Sequence, residues 1–250
     1  MLQRISKFLS HAGVCSRRQA EQLISEGQIK VDGQVLLSPA TLVHQNSHIE
    51  VNGKIISHTF VTRIWLYYKP VGYLTTNHDP QGRLTIFDDL RSYNLPRLIT
   101  VGRLDLNSEG LLLLTTNGTF ARQAELPKTN WPRCYKVRVF GEININSLKA
   151  LEKGPIIEGI RYKPIPVEIL NSSHSQKNKW LKVTLFEGKN REIRKIMNHL
   201  GLQVNRLIRV SYGPFHLDSL TPHQIKEVSS TQVENVCDRL DILSNNFEKS

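Results

Sequence analysis

The sequence predicts an α+β fold in two parts. A small leading unit spans residues 1–58, and a larger unit with a mainly antiparallel sheet spans residues 62–230, followed by a tail at 231–250. Three observations carry this reading. Two hairpin signals close the leading unit, strand-like runs recur through the remainder, and one strongly periodic helix interrupts them near residue 190. The 250 residues are 39% hydrophobic and 22% charged, proportions usual for a folded globular chain.

In the leading unit, Leu2, Ile5, Phe8 and Leu9 mark one face of a short helix that Gly13 closes. Ser16 stands at an N-cap, and Gln19 three residues on completes a capping box. That helix runs through Leu23 and Ile24 to Gly27. The segments "IKVDGQVL" and "IEVNGKII" each hold a DG or NG pair, which supplies the positive φ angles of a tight turn. Beyond residue 62, strands are expected at Ile64–Tyr68, Leu98–Val101, Leu111–Thr115, Tyr135–Phe140, Val167–Leu170 and Trp180–Phe186. In "KNREIRKIMNHLG", Ile193, Ile196, Met197 and Leu200 follow helical spacing and Gly201 caps the end. Arg191, Arg194, Lys195 and Asn198 form the opposite stripe. A frayed helix is expected from about Cys237.

The formal net charge of +11 favours a polyanionic partner. The charge is concentrated: residues 181–212 hold seven cations against two acids, and residues 128–138 add four with none. Trp131, Tyr135, Trp180 and Tyr212 are interleaved with them. Cations for phosphates and rings for splayed bases suit RNA, although on buried strands the same rings would be core residues. Arg17 and Arg18 occupy the first turn of a helix, where the macrodipole disfavours cations. The three cysteines are few, odd in number and without metal-ligand spacing, which fits a reducing compartment. The start does not resemble a signal peptide, and no apolar run approaches the roughly 20 residues of a membrane span. A cytoplasmic protein without membrane association is expected.

The segment "VGRLDLNSEGLLLLTT" (101–116) packs Asp105, Asn107, Glu109 and Gly110 between apolar runs. These residues fit the first positions of a calcium-binding EF-hand loop, but the twelfth position is Thr116 and an apolar strand fills the seventh to tenth. The calcium reading fails. A glycosidase would want two carboxylates flanking the bond, and nothing marks Glu109 as a partner for Asp105. A turn that carries a structural Asp remains open from this segment alone.

The wider chain is more specific. The order helix, "SRRQAEQLI", glycine, "IKVDG" resembles the small S4-like RNA-binding domain. The segments "YYKPVGYLTT", "GRLD", "RCY", "EGKNREIRKI" and "RLIRVSYGPF" occur in the order found in pseudouridine synthases. The set resembles the branch that modifies bacterial ribosomal RNA and carries an S4-like domain in front. At Arg191–Glu192 the sequence is closer to large-subunit members than to small-subunit ones.

That resemblance implies an isomerase that breaks N1–C1′ of a uridine, turns the base and rejoins it through C5. The reaction needs no cofactor and no metal. The resemblance places Asp105 as the catalytic carboxylate, Arg194 as the arginine that pairs with it and Tyr135 as the ring that stacks on the target base. Ile193 would wall the base, Lys69 and Arg103 would hold phosphate or the Asp105 loop, and Arg133, Arg191 and Lys195 would join them in binding substrate. In the leading unit, Arg4, Lys7, Ser16, Arg17, Arg18 and Lys30 would meet RNA. The implied partner is ribosomal RNA of the large subunit, free or in an assembling particle, bound by a monomer. The alternatives are a small-subunit enzyme and a non-catalytic RNA-binding assembly factor, and intact Asp105, Tyr135 and Arg194 speak against the latter. A nucleoside hydrolase would need a base to activate water, and none is evident.

Overall fold

The structure is a computed structural model that describes residues 2–44, 46–57, 61–170 and 178–242. In the leading unit, helices Ile5–His11 and Arg17–Ser25 pack beside two short hairpins. The capping box forms as the sequence predicts: Ser16 Oγ accepts the Gln19 N–H at 3.1 Å, and Gln19 Oε1 accepts the Ser16 N–H at 2.8 Å. Asp32 and Gly33 in one hairpin, and Asn52 and Gly53 in the other, all have positive φ, as the tight turns require. The hairpins pair through Ile29–Val31 and Ile49–Val51. They close a core of their own with Ile5, Phe8, Leu9, Ala20 and Ile24. Leu2 lies outside the first helix and is exposed.

Among the described residues, the larger unit is built on a nine-stranded sheet. Its main path runs Val167–Ile169, Asn178–Leu185, Arg133–Phe140, Gln203–Tyr212, Glu109–Thr115, Ile64–Lys69, Ile225–Glu227. Ile99–Val101 also pairs with Glu109–Thr115, and Phe215–His216 folds back on Gln203–Tyr212. Among the described residues the pairings within this sheet are antiparallel except that Gln203–Tyr212 runs parallel to Glu109–Thr115. That contact is brief, joining only Ile208 to Glu109 and Arg209 to Gly110. Two antiparallel half-sheets therefore meet at a short parallel seam.

The seam explains Gly110. Its φ is +101°, and a Cβ there would lie 2.3 Å from the carbonyl oxygen of Arg209. Only glycine lets the two backbones approach this closely. Glu109 ties the same seam with its side chain. It is buried, accepts the Tyr68 hydroxyl at 2.8 Å, and takes Arg206 Nε and Nη2 at 2.6 and 3.0 Å. The Arg206 hydrogen bonds outweigh burial and hold the Glu109 carboxyl below its usual range.

One face of the sheet buries Tyr67, Leu112, Val137 and Leu207 under helix Glu192–His199, which contributes Ile193, Ile196 and Met197. Helices Gly118–Glu125 and Ser230–Arg239 cover the other face. The second of these corrects the expected tail. Val233, Val236 and Cys237 are buried against the sheet, so a packed helix replaces a frayed one and the core continues to Ile242. Residues 243–250 of that expected tail lie outside the described residues. A further difference is the ten-residue strand Gln203–Tyr212, the longest among the described residues, which apolar alternation does not reveal. Its buried positions include Arg209 and Ser211, so the inward face does not read as hydrophobic.

Candidate active site

Asp105 sits in the turn that enters the Glu109–Thr115 strand, beside the parallel seam. Five consecutive carbonyls of this turn accept hydrogen bonds, four of them from donors outside it. Leu104 O takes the Thr75 hydroxyl at 2.8 Å, Asp105 O the Ser108 N–H at 3.0 Å, and Leu106 O the Gly72 N–H at 2.9 Å. Asn107 O takes Arg194 Nη2 at 2.7 Å, and Ser108 O takes Lys69 Nζ at 2.8 Å. The Leu104 N–H closes on Thr75 Oγ1 at 3.3 Å, and the Gly102 N–H on Glu125 at 2.8 Å. Fixing a backbone this fully costs entropy that the rest of the fold must offset, and its effect is to set the direction of one side chain. The Asp105 carboxylate itself is half-buried and makes no hydrogen bond or ion pair among the described residues.

Asp105 opens onto a cleft of about 650 Å³. Of the residues expected to bind substrate, Arg103, Arg133, Arg191 and Ile193 line it, and so does Tyr135. Tyr135 belongs to the core and to the cleft at once: it is buried on its strand, and its flank faces the pocket. Arg133 lies over the Tyr212 ring, 4.8 Å from its centroid, and donates to the Tyr212 hydroxyl at 3.0 Å. That contact holds its guanidinium at the rim. Trp131 is packed among Phe120, Tyr212 and Phe215 and serves the core.

Three more of the expected site residues lie off the cleft lining. Of the two roles expected for Lys69, the loop is the one it takes: it is fully buried, with Nζ donating to Pro70 O and Ser108 O. Burial pushes its ammonium down to about 8, against the opposing pull of Asp105 and Glu109. Arg194 makes no ion pair with Asp105 within 4.0 Å; it holds the loop at Asn107 O and reaches Val204 O at 3.1 Å. The Asp105 charge still acts on it, opposing the lowering by burial and by Arg191. Lys195 is exposed on its helix and does not line the cleft. In the leading unit Arg4, Lys7, Arg17, Arg18 and Lys30 are exposed, while the Ser16 hydroxyl is engaged as the helix cap.

Sequence reasoning gives no role to Thr75, Arg206, Arg209 or Glu192. All lie in the quoted segments, but the partners of Thr75, Arg206 and Arg209 come from distant parts of the chain, and the burial of Glu192 shows only in the fold. Arg209 is buried at the seam, donates Nε to Leu111 O at 2.7 Å, and lines the cleft. Glu192 is buried at the cleft wall with its carboxyl pushed up to about 7 by burial. Among the described residues no helix is long and apolar enough to cross a membrane.

Comparison with known proteins accounts for both parts of the chain. The RNA pseudouridylate synthase family profile matches residues 63–199, and the S4 domain profile matches residues 3–49. An uncharacterized RNA pseudouridine synthase of Rickettsia felis is 51% identical over 233 residues, covering 93% of this chain and 100% of that protein. Ribosomal large subunit pseudouridine synthase B of Yersinia pestis is 40% identical over 228 residues, covering 89% of this chain and 71% of that protein. A crystal structure of a pseudouridylate synthase superposes with a TM-score of 0.65 at 25% identity, covering 92% of this chain and 98% of the other. With an S4 domain ahead of the clamped aspartate and its basic cleft, the chain belongs to the RNA pseudouridine synthase family of isomerases.

Proposed function

We propose that this protein converts uridine to pseudouridine in large-subunit ribosomal RNA, with Asp105 as the catalytic carboxylate. The observation that carries the assignment is the loop itself: five anchored carbonyls aim an unpaired carboxylate into a basic cleft beside Tyr135. An unpaired carboxylate is free to attack the nucleotide or to take the C2′ proton. In either route N1–C1′ breaks, C1′ joins C5, the C5 proton goes to water and N1 gains one. Lys69 and Arg194 hold the loop from behind through Ser108 O and Asn107 O, which keeps the carboxylate directed into the cleft.

The target must leave its stack to reach Asp105, at a cost of a few kcal/mol. Tyr135 offers the ring on which the base stacks, and Ile193 walls it. Phosphate contacts from Arg103, Arg133 and Arg191 offset the flipping cost. The leading unit, through Arg17, Arg18 and their exposed neighbours, docks the enzyme on the RNA. The large-subunit assignment rests on similarity to large-subunit synthase B. Mapping pseudouridines in ribosomal RNA from cells with and without this protein tests the proposal. It predicts the loss of a large-subunit pseudouridine; an unchanged map, or a loss confined to the small subunit, refutes it.

A further inference from the structure

Buried polar atoms in folded proteins nearly always have hydrogen-bond partners. Among the described residues, three buried side-chain atoms lack one: Glu192 Oε1, Arg194 Nε and Arg209 Nη2. None is scattered through the two large cores. Glu192 and Arg209 line the cleft, and Arg194 lies directly behind the Asp105 loop.

Glu192 is the informative one. It is 3% exposed and lines the same cleft as Asp105, Tyr135 and Ile193. Its Oε2 accepts the Lys189 N–H at 2.9 Å, which fixes the carboxyl and leaves Oε1 with an unused acceptor site. The preceding Arg191 has φ +52° and starts the helix without a side-chain cap, so the chain spends backbone strain where it presents this carboxyl. The charged and titratable groups around it are Arg133 from its strand, Glu187 and Lys189 from the adjoining loop, and Tyr162 from the segment after the Ile156–Arg161 hairpin. None of them hydrogen-bonds Oε1.

We propose that Glu192 selects the target base, its carboxylate accepting the N3–H of uracil through Oε1 while the Lys189 amide holds Oε2. Uracil presents a donor at N3 and cytosine a lone pair, so the same carboxylate attracts one base and repels the other. The inference deepens the proposed function and rests on it. Burial sets the pH response: with the carboxyl pushed up to about 7, the ionised, accepting form dominates only above that pH. Turnover should therefore rise as pH increases through about 7 and then level off.

The test follows tritium release from large- and small-subunit ribosomal RNA transcripts labelled at uridine C5, from pH 6 to 8.5. The wild type should show an inflection in kcat/KM near pH 7. Glu192→Gln should lose that inflection, because an amide does not titrate. A single carbonyl cannot replace two carboxylate oxygens, so its kcat/KM at pH 8 should fall about ten- to a hundredfold. Affinity for the transcript should stay within about twofold, since phosphate contacts dominate it. A wild type without the inflection overturns the proposal, whatever the variant's folding. So does a variant that keeps either the inflection or the wild-type kcat/KM at pH 8. A wild type that releases no tritium from either transcript instead refutes the proposed function, and the two failures are distinguishable.

Discussion

Replacing Gly110 by alanine puts one methyl group into the parallel seam. The new Cβ would stand 2.3 Å from Arg209 O and 2.8 Å from Arg209 N, where ordinary contact begins at 3.4 Å. Both obstacles are backbone atoms, so relief requires the half-sheets to separate by about 1 Å. Holding alanine at φ +101° adds about 1–2 kcal/mol, and overpacking about 1–3 kcal/mol. Together they come to about 2–5 kcal/mol, or about 5–15 °C in Tm for a chain of this size. The seam lies just beyond the Asp105 turn, and a misplacement of about 1 Å at a catalytic group costs on the order of a hundredfold in rate. Thermal unfolding by circular dichroism and single-turnover tritium release measure the two effects. A Gly110→Ala protein with Tm within about 2 °C of wild type and unchanged turnover would refute the role given to the seam.

Lys69→Met removes the donor to Ser108 O and Pro70 O but also removes a costly buried ammonium. Turnover should drop at least about tenfold while Tm moves by less than about 5 °C; a larger change in Tm than in rate would make Lys69 purely structural. Glu192→Gln should be more stable than wild type above pH 7. A folded carboxyl raised to about 7 from an unfolded 4.5 contributes stability that is full below 4.5 and lost as pH rises through 7. The variant escapes that loss, so urea titrations should show a gain of up to about 3 kcal/mol at pH 8 and none at pH 4.5; equal gains at both values contradict the assignment. Arg17→Ala with Arg18→Ala should weaken RNA binding and reduce the slope of log affinity against log salt by about 0.7–0.9 for each phosphate the two side chains neutralise. An unaltered slope would remove these two arginines from the interface.

Local chemistry makes much of the fold legible. The Ser16–Gln19 capping box, the DG and NG turns and the Ile193–Ile196–Met197 face are short-range patterns, and each appears where the residues place it. The strand Gln203–Tyr212 is hidden in the sequence because Arg209 and Ser211 take positions that alternation would fill with apolar residues. Lys69 is legible only in part for a related reason: the sequence leaves a phosphate and the Asp105 loop both open, and only the packing shows its ammonium sealed beneath that loop. Asp105 can be singled out from sequence but its clamp cannot, because four of the five donors come from residues 69, 72, 75 and 194. The buried helix Ser230–Arg239 reads as a tail because its apolar stripe, Val233, Val236 and Cys237, is narrow.

On the proposed function, the fold fixes the Asp105 loop so that one free carboxylate acts on RNA. Every anchor of that loop reaches a backbone group, so Asp105→Asn leaves the clamp intact and removes only the ionisable oxygen. Tritium release from uridine-labelled ribosomal RNA, measured at matched Tm and matched RNA affinity, reads the effect directly. The expected loss is at least about a thousandfold, in the range of an essential acid–base or nucleophilic group. An Asp105→Asn protein that still releases tritium within about tenfold of the wild-type rate would contradict that role for the carboxylate.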